Sequence, residues 1–105
     1  YAFTFDALDA DSTLHARAFA PGLGIPEDPV TGTAAGACGA YLREVGAFDG
    51  EFPDEMVFEQ GHFLDRPGRI RVRVGADVEV GGRAVTALDG RLAIPTGDDD
   101  GIVEA

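Results

Sequence analysis

The fold is decided by the stretch Gly24-Ile-Pro-Glu-Asp-Pro-Val-Thr-Gly-Thr-Ala-Ala-Gly-Ala-Cys-Gly-Ala-Tyr-Leu42. Its first nine residues, rich in proline and glycine, predict a stiff loop that ends where a helix begins at Thr33. The residues from Ala34 to Ala40 are all small, so the helix offers neither a polar face to water nor a bulky apolar face to a core. Such a slim helix suits enclosure, and we expect an α+β fold with an antiparallel-rich sheet curled barrel-like around one central helix.

The start of this helix is the first candidate site. Backbone N–H groups in a first helical turn have no partner within the helix, and the helix dipole is positive there. Gly32 allows a ligand to approach the backbone closely. Gly32, Thr33 and Ala34 are therefore predicted to cradle an anion, with a carboxylate as the preferred ligand, and Asp28 lies shortly before them. A simpler interpretation stays open, in which Asp28 belongs to a turn and the threonines are ordinary helix caps.

Composition limits the classes of function. The chain has 105 residues, which fits one domain over 1–105, and its net charge is -11, with 19 acidic residues against 8 arginines and no lysine. Such a surface repels nucleic acids and anionic membranes, and the acid excess suggests adaptation to high salt, with an acidic interaction surface as the alternative. A single Cys excludes an internal disulfide and a cysteine metal cluster. No apolar run is long enough for a membrane span, so we expect a cytoplasmic protein.

Strict alternation of apolar and polar residues predicts the strands 69–74 and 77–80, and shorter apolar runs bounded by turns predict the others. After Arg73, a three-residue connection (74–76) would set Arg73 opposite Asp77 and Val72 opposite Val78, which keeps the charged and apolar faces apart. Two tight hairpins at Gly81-Gly82 and Asp89-Gly90 would then extend the sheet to four antiparallel strands. The helix should end near Val45, with Gly46 after it, and residues 95–105 should form an acidic tail. The predicted strands span residues 1–7, 14–19, 56–60, 69–74, 77–80 and the two segments that follow the glycine turns.

Several motifs resemble the PhzF-like family of phenazine-biosynthesis proteins, within the diaminopimelate-epimerase superfamily. They are Arg17-Ala-Phe-Ala-Pro21, Gly24-Ile-Pro-Glu-Asp-Pro-Val-Thr-Gly-Thr-Ala34, Glu59-Gln-Gly61, Arg66-Pro-Gly-Arg-Ile70 and Gly82-Arg-Ala-Val85. That family has two similar lobes, each a sheet curled around one helix, with the active site between them. The resemblance covers the second lobe only. Together with Tyr1 in place of an initiating Met, it predicts a fragment or the second half of a larger protein.

The resemblance also implies a chemistry: isomerisation by acid/base proton transfer on a small carboxylate-bearing substrate, without metal or cofactor. By this likeness Asp28 lines the cleft and is the catalytic candidate, while Gly32 and Thr33 bind substrate through a backbone N–H and a hydroxyl. Thr33 replaces the serine of the family and adds a methyl group. Gln60 and Gly61 end a strand and are expected to face the cleft, although a role in turn structure is an equal alternative.

The chief acid/base glutamate of the family belongs to the first lobe and has no counterpart here. The enzyme interpretation therefore requires a missing N-terminal lobe, a partner chain or a second copy in a homo-oligomer such as a dimer. The alternative function is a non-catalytic module for small-carboxylate binding or assembly. Of the remaining reactive residues, Cys38 and His15 are interpreted as structural, and His62 has no obvious partner.

Overall fold

In a computed structural model, which describes residues 1–97, six strands and one helix follow each other along the chain. The sheet has the order β1-β2-β4-β5-β6, and β3 pairs with the second half of β2. Strands β2 and β4 are parallel, and the other paired strands are antiparallel. The predicted α+β class with an antiparallel-rich sheet and one helix is thus confirmed. The elements are β1 (Ala2–Thr4), β2 (Leu14–Ala20), β3 (Ile25–Asp28), α1 (Gly32–Glu44), β4 (Met56–Gln60), β5 (Gly68–Val74) and β6 (Val78–Gly81).

Helix α1 packs one side against β5 and β6. Its small residues make this contact close, because a Cβ atom added at Gly39 would lie only 2.6 Å from a methyl group of Val72. At the end of the helix Leu42 supplies the one large buried side chain of α1. The core between helix and sheet consists of Leu14, Ala16, Ala35, Cys38, Leu42, Met56, Phe58, Ile70 and Val72.

The helix is not enclosed on all sides by the part of the chain that the structure describes. Thr33, Ala37 and Tyr41 are exposed along its outer side, and the sheet is not closed into a barrel. Its bounds differ from the predicted 33–45 by one residue at each end. The role predicted for Gly46 is confirmed, since its φ of +60° and its N–H bond to the Arg43 carbonyl end the helix.

The register predicted between β5 and β6 was wrong by two residues. Arg73 lies opposite Glu79 rather than Asp77, and Val72 lies opposite Val80. The connection has three residues as expected, but they are 75–77, and Asp77 remains in the turn with its carbonyl accepting a hydrogen bond from Gly75 at 2.9 Å. Because side chains alternate with a period of two, this shift leaves the apolar and charged faces where they were predicted.

The two strands predicted after Gly81 are absent from the described residues. No strand follows β6 up to residue 97, so the hairpins at Gly81-Gly82 and Asp89-Gly90 do not form. We call residues 82–97 the C-terminal arm; its Val85, Leu92 and Ile94 are 82–90% exposed. Alternation shows that a segment could bury one face as a strand, but it does not show with which strand the segment pairs. Within residues 1–97 the arm pairs with no strand. The first strand is also shorter than predicted, at Ala2–Thr4.

Residues 98–105, which hold most of the predicted acidic tail, lie outside the described residues. Within residues 1–97, no helix has both the length and the apolar character that a bilayer crossing requires.

Candidate functional site

The loop that carries Asp28 is attached to β2 by backbone and side-chain bonds. Strand β3, within the stretch predicted as loop, sets Asp28 opposite Ala18 with a register shift further along the pair. The guanidinium of Arg17 donates two hydrogen bonds to the Glu27 carboxylate, at 2.7 and 3.3 Å. The same guanidinium lies 4.0 Å from the centre of the Phe63 ring, in the turn after β4. Arg17 thus connects the loop to β2 and to that turn.

Asp28 lies in a small hydrogen-bonded cluster with Thr31 and Gln60. The Thr31 hydroxyl donates to Asp28 Oδ2 at 2.5 Å. The Gln60 side-chain amide donates to the Asp28 backbone carbonyl at 2.8 Å and to the Thr31 hydroxyl at 2.9 Å. A chain of hydrogen bonds therefore runs from the end of β4 to the Asp28 carboxylate. Asp28 and Thr31 are both half-buried.

The first turn of α1 has free backbone donors. Thr31 is the N-cap residue, but its side chain does not cap the helix, because its hydroxyl is used in the cluster with Asp28. The first helical bond runs from the Ala35 N–H to the Thr31 carbonyl at 3.2 Å. Among residues 1–97 the N–H groups of Gly32, Thr33 and Ala34 have no hydrogen-bond partner. Thr33 is exposed, whereas Gly32 and Ala34 are half-buried.

Gln60 and Gly61 lie behind the loop. Both are buried, and Gln60 has no exposed surface. Gly61 has a φ of +92°, and a Cβ atom there would overlap the Arg66 carbonyl oxygen and lie 2.6 Å from the Pro29 carbonyl oxygen. Their contacts hold the loop in place, and their direct contact with a ligand stays a prediction. The Gln60 side-chain oxygen is buried without a hydrogen-bond partner among the described residues.

A groove of about 790 Å³ reaches the helix start, although Asp28 does not line it. Val30 and Gly32 form one part of its wall. Other parts are formed by the turn at Pro67-Gly68 and by Arg83, which lies at the start of the C-terminal arm. No ion pair involving Arg83 is present within residues 1–97. The groove therefore reaches the helix start at Gly32 and carries a positively charged side chain, Arg83, on another part of its wall.

A second polar cluster, on the sheet face opposite α1, was not predicted. Glu59 is fully buried and accepts hydrogen bonds from the Leu8 and Asp9 N–H groups at 3.1 and 3.0 Å and from His15 at 2.8 Å. Burial alone would raise the pKa of the Glu59 carboxyl, but hydrogen bonds from the Asp9 N–H, His15 and the Leu8 N–H lower it to about 2. His62, which seemed to lack a partner, lies 3.7 Å from the same carboxylate. The sequence gives no signal for this pairing, because His15 and Glu59 are 44 residues apart on parallel strands.

Comparison with known proteins identifies the family. The family model described as "Phenazine biosynthesis-like protein" matches residues 1–90. The chain belongs to this family. The matched range includes the Asp28 loop, the helix start and the end of β4, so the predicted resemblance is confirmed.

Relatives in the phenazine biosynthesis-like family are named as isomerases. The chain is 36% identical to an uncharacterized isomerase of Clostridium acetobutylicum over 102 residues, which is 90% of this chain and 33% of the relative. It is 36% identical to the uncharacterized isomerase YfhB of Bacillus subtilis over 84% of this chain and 28% of the relative. An uncharacterized isomerase of Deinococcus radiodurans is 47% identical over 75 residues. The chain thus spans about a third of the length of such relatives.

Proposed function

We propose that this chain is one lobe of a PhzF-like isomerase that moves a proton on a small carboxylate-bearing substrate. The observation that carries the proposal is the position of the Asp28 carboxylate, hydrogen-bonded to the N-cap residue of a helix whose first three N–H groups have no partner among residues 1–97. The names of the relatives support the reaction class. The proposed reaction needs no cofactor, because a positioned carboxyl group can itself accept and return a proton.

The two parts of the site have different roles in this proposal. The N–H groups of Gly32, Thr33 and Ala34 bind the substrate carboxylate, since backbone donors and the positive end of a helix dipole favour an anion. Asp28 holds or relays the proton at the neighbouring carbon. The hydrogen bond from Thr31 fixes which oxygen of Asp28 remains available. Gln60 positions both residues from behind the loop.

The finer fold is part of the same proposal: a sheet curled around α1 as one lobe, with the cleft completed by further polypeptide, a partner chain or a second copy. Two observations support an additional neighbour. The outer side of α1 is exposed at Ala37 and Tyr41. The C-terminal arm carries apolar side chains that are 82–90% exposed, namely Val85, Leu88, Leu92 and Ile94. Apolar surface of this kind, gathered on one segment, is typical of a contact region.

The test is proton exchange in heavy water. The chain is incubated alone and together with the polypeptide that completes it, using a panel of small carboxylic acids, and deuterium incorporation is followed by NMR. We expect exchange only in the completed protein, and we expect Asp28→Asn to slow it by about 100-fold or more while binding is retained. Asp49→Asn, which changes an exposed acid outside the site, is the control and should have no effect. Exchange that is unaffected by Asp28→Asn would refute the assignment of Asp28.

A second function, a non-catalytic module for carboxylate binding or assembly, is favoured by the exposed apolar arm. In that case the chain binds small carboxylates or assembles with its partner, but the completed protein incorporates no deuterium into the carboxylic acids. The same experiment therefore separates the two functions.

A further inference from the structure

We propose that His15, Glu59 and His62 form a binding site for a divalent transition-metal ion of the zinc class. The three side chains lie on the sheet face opposite α1, away from Asp28. His15 comes from β2, Glu59 from β4 and His62 from the 3₁₀ turn (His62–Leu64) that follows β4. This site is separate from the proposed proton transfer and does not depend on it.

The spacing of the three groups is close to that of metal ligands. One ligand atom from each residue lies within 4.8 Å of the other two. His15 Nδ1 is 2.8 Å and His62 Nε2 is 3.7 Å from Glu59 Oε2. Ligands bound to zinc at about 2.0–2.2 Å lie roughly 2.9 Å apart at a right angle and 3.4 Å apart in a tetrahedron. Ring movements of about an ångström or less would therefore complete the geometry.

The charge at this position is compatible with a bound cation. Glu59 is fully buried, and its carboxylate is stabilised by hydrogen bonds from the Leu8 and Asp9 N–H groups and from His15. Arg69 lies opposite Glu59 in the sheet register, but its guanidinium reaches out to Asp9 and Asp11 at 3.7 and 3.3 Å. Within the described range, no arginine lies within ion-pair distance of Glu59. Among the side chains of residues 1–97, two imidazole rings are thus the potential cations nearest to it.

Both rings have unused capacity. His15 Nε2 and His62 Nδ1 are buried and have no hydrogen-bond partner among residues 1–97. Buried polar atoms are normally satisfied, and these two are the outer nitrogens of the rings, because His15 Nδ1 and His62 Nε2 are the ones next to Glu59. With a proton on each outer nitrogen, the inner nitrogens, His15 Nδ1 and His62 Nε2, keep a lone pair that can bind an ion.

The donor set indicates the class of metal. Two imidazoles and one carboxylate suit zinc, cobalt and related ions, whereas calcium and magnesium prefer sites made of oxygen ligands. An ion held here would join β2 to the end of β4 and, through the Leu8 and Asp9 N–H groups, to the turn after β1. Because Glu59 directly precedes Gln60, the ion would also stiffen the strand end from which Gln60 holds the Asp28 loop.

The test is titration of metal-free protein with Co²⁺ and with Zn²⁺, using calorimetry for stoichiometry and the visible absorption of Co²⁺ for coordination. The chain contains only two histidines, so any site with histidine ligands must use this pair. We expect one equivalent to bind. His62→Gln, at a side chain that is 24% exposed, should weaken binding by at least about tenfold, as should His15→Gln.

Asp49→Asn is the matched control, because it removes an exposed acid while leaving the cluster intact, and it should bind like the unmodified chain. Circular dichroism confirms that each variant is folded before titration. The proposal is overturned if the unmodified chain binds neither ion. It is also overturned if both histidine variants bind as tightly as the control, which would mean that the acidic surface alone holds the metal.

Discussion

Replacing Gly61 with Ala tests the structural basis of the candidate site. Gly61 joins the end of β4 to the following turn with a φ of +92°, a conformation that is unfavourable for residues with a Cβ atom. The added methyl group would overlap the Arg66 carbonyl oxygen and lie 2.6 Å from that of Pro29. Both contacts are with backbone, so neither can be relieved by turning a side chain.

The expected cost has two parts. The left-handed conformation contributes about 1–2 kcal/mol for an alanine. Overpacking against the two carbonyl groups contributes about 1–3 kcal/mol more. We therefore expect Gly61→Ala to lower the free energy of unfolding by roughly 2–5 kcal/mol. Since Pro29 directly follows Asp28, the same change should displace the Asp28 loop.

Gly24→Ala is the matched control. Gly24 also has a positive φ, +76°, but apart from its chain neighbours no heavy atom of the described residues lies within 4 Å of the position that a Cβ would take. It should lose only the conformational part, about 1–2 kcal/mol. Urea unfolding of the two variants and the parent measures the difference. If Gly61→Ala is no more destabilising than Gly24→Ala, the close packing of the Asp28 loop against the end of β4 is refuted.

Three further predictions concern the core and the buried ionisable groups. Leu42→Ala should cost about 2–5 kcal/mol in urea unfolding because Leu42 is 1% exposed; Tyr41→Ala, at an exposed position, should cost far less, and equal losses would contradict the packing of α1. Hydrogen bonds lower the pKa of Glu59 from 4.5 to about 2, so with a chelator present they should stabilise the fold above pH 4.5, and this contribution should be lost as the pH falls toward 2. The acid unfolding of Glu59→Gln should lack that pH dependence, and an acid-unfolding curve like that of the parent would argue against an ionised Glu59. Burial raises the pKa of the Cys38 thiol, so Cys38 should react with a thiol reagent slowly until the protein is unfolded, and equally fast labelling in both states would contradict its burial.

The parts of the fold that could be predicted from the sequence are those set by local signals. The bounds of α1 follow from the loop before it and from Gly46 after it, and β4 was predicted with the observed bounds because it lies between an acidic connection (49–55) and Gly61. The faces of β5 and β6 also follow from alternation, so a register error of two residues did not move any side chain to the wrong face.

The parts that could not be predicted depend on contacts between distant segments. Nothing in the sequence near β2 or β4 shows that these strands are parallel neighbours. Consequently the contact between His15 and Glu59 could not be predicted, although the sequence shows that both residues lie in predicted strands. The C-terminal arm shows the converse case, because its pattern predicts strands but it pairs with no strand within residues 1–97, although β6, its predicted neighbour, is present.

For the candidate site, the sequence placed Asp28 near the start of the helix, and the structure adds the bonds that hold it there. The hydroxyl of Thr31 was considered as a cap, yet it donates to Asp28 and leaves the helix start without a side-chain cap. The position of Gln60 behind the loop depends on the pairing of β4 within the sheet. Sequence motifs could indicate this residue but could not show whether it faces a ligand or supports the loop.

The most direct measurement of the central claim is an NMR titration of isotope-labelled protein with a small carboxylate such as acetate. We predict saturable shifts of the backbone N–H signals of Gly32, Thr33 and Ala34, with no comparable shift at Gly46 beyond the other end of the helix. Asp28→Asn should leave these shifts in place, because the helix start rather than Asp28 binds the anion. Saturable shifts confined to other parts of the protein, or no response at these three residues, would contradict the claim that the helix start is an anion site.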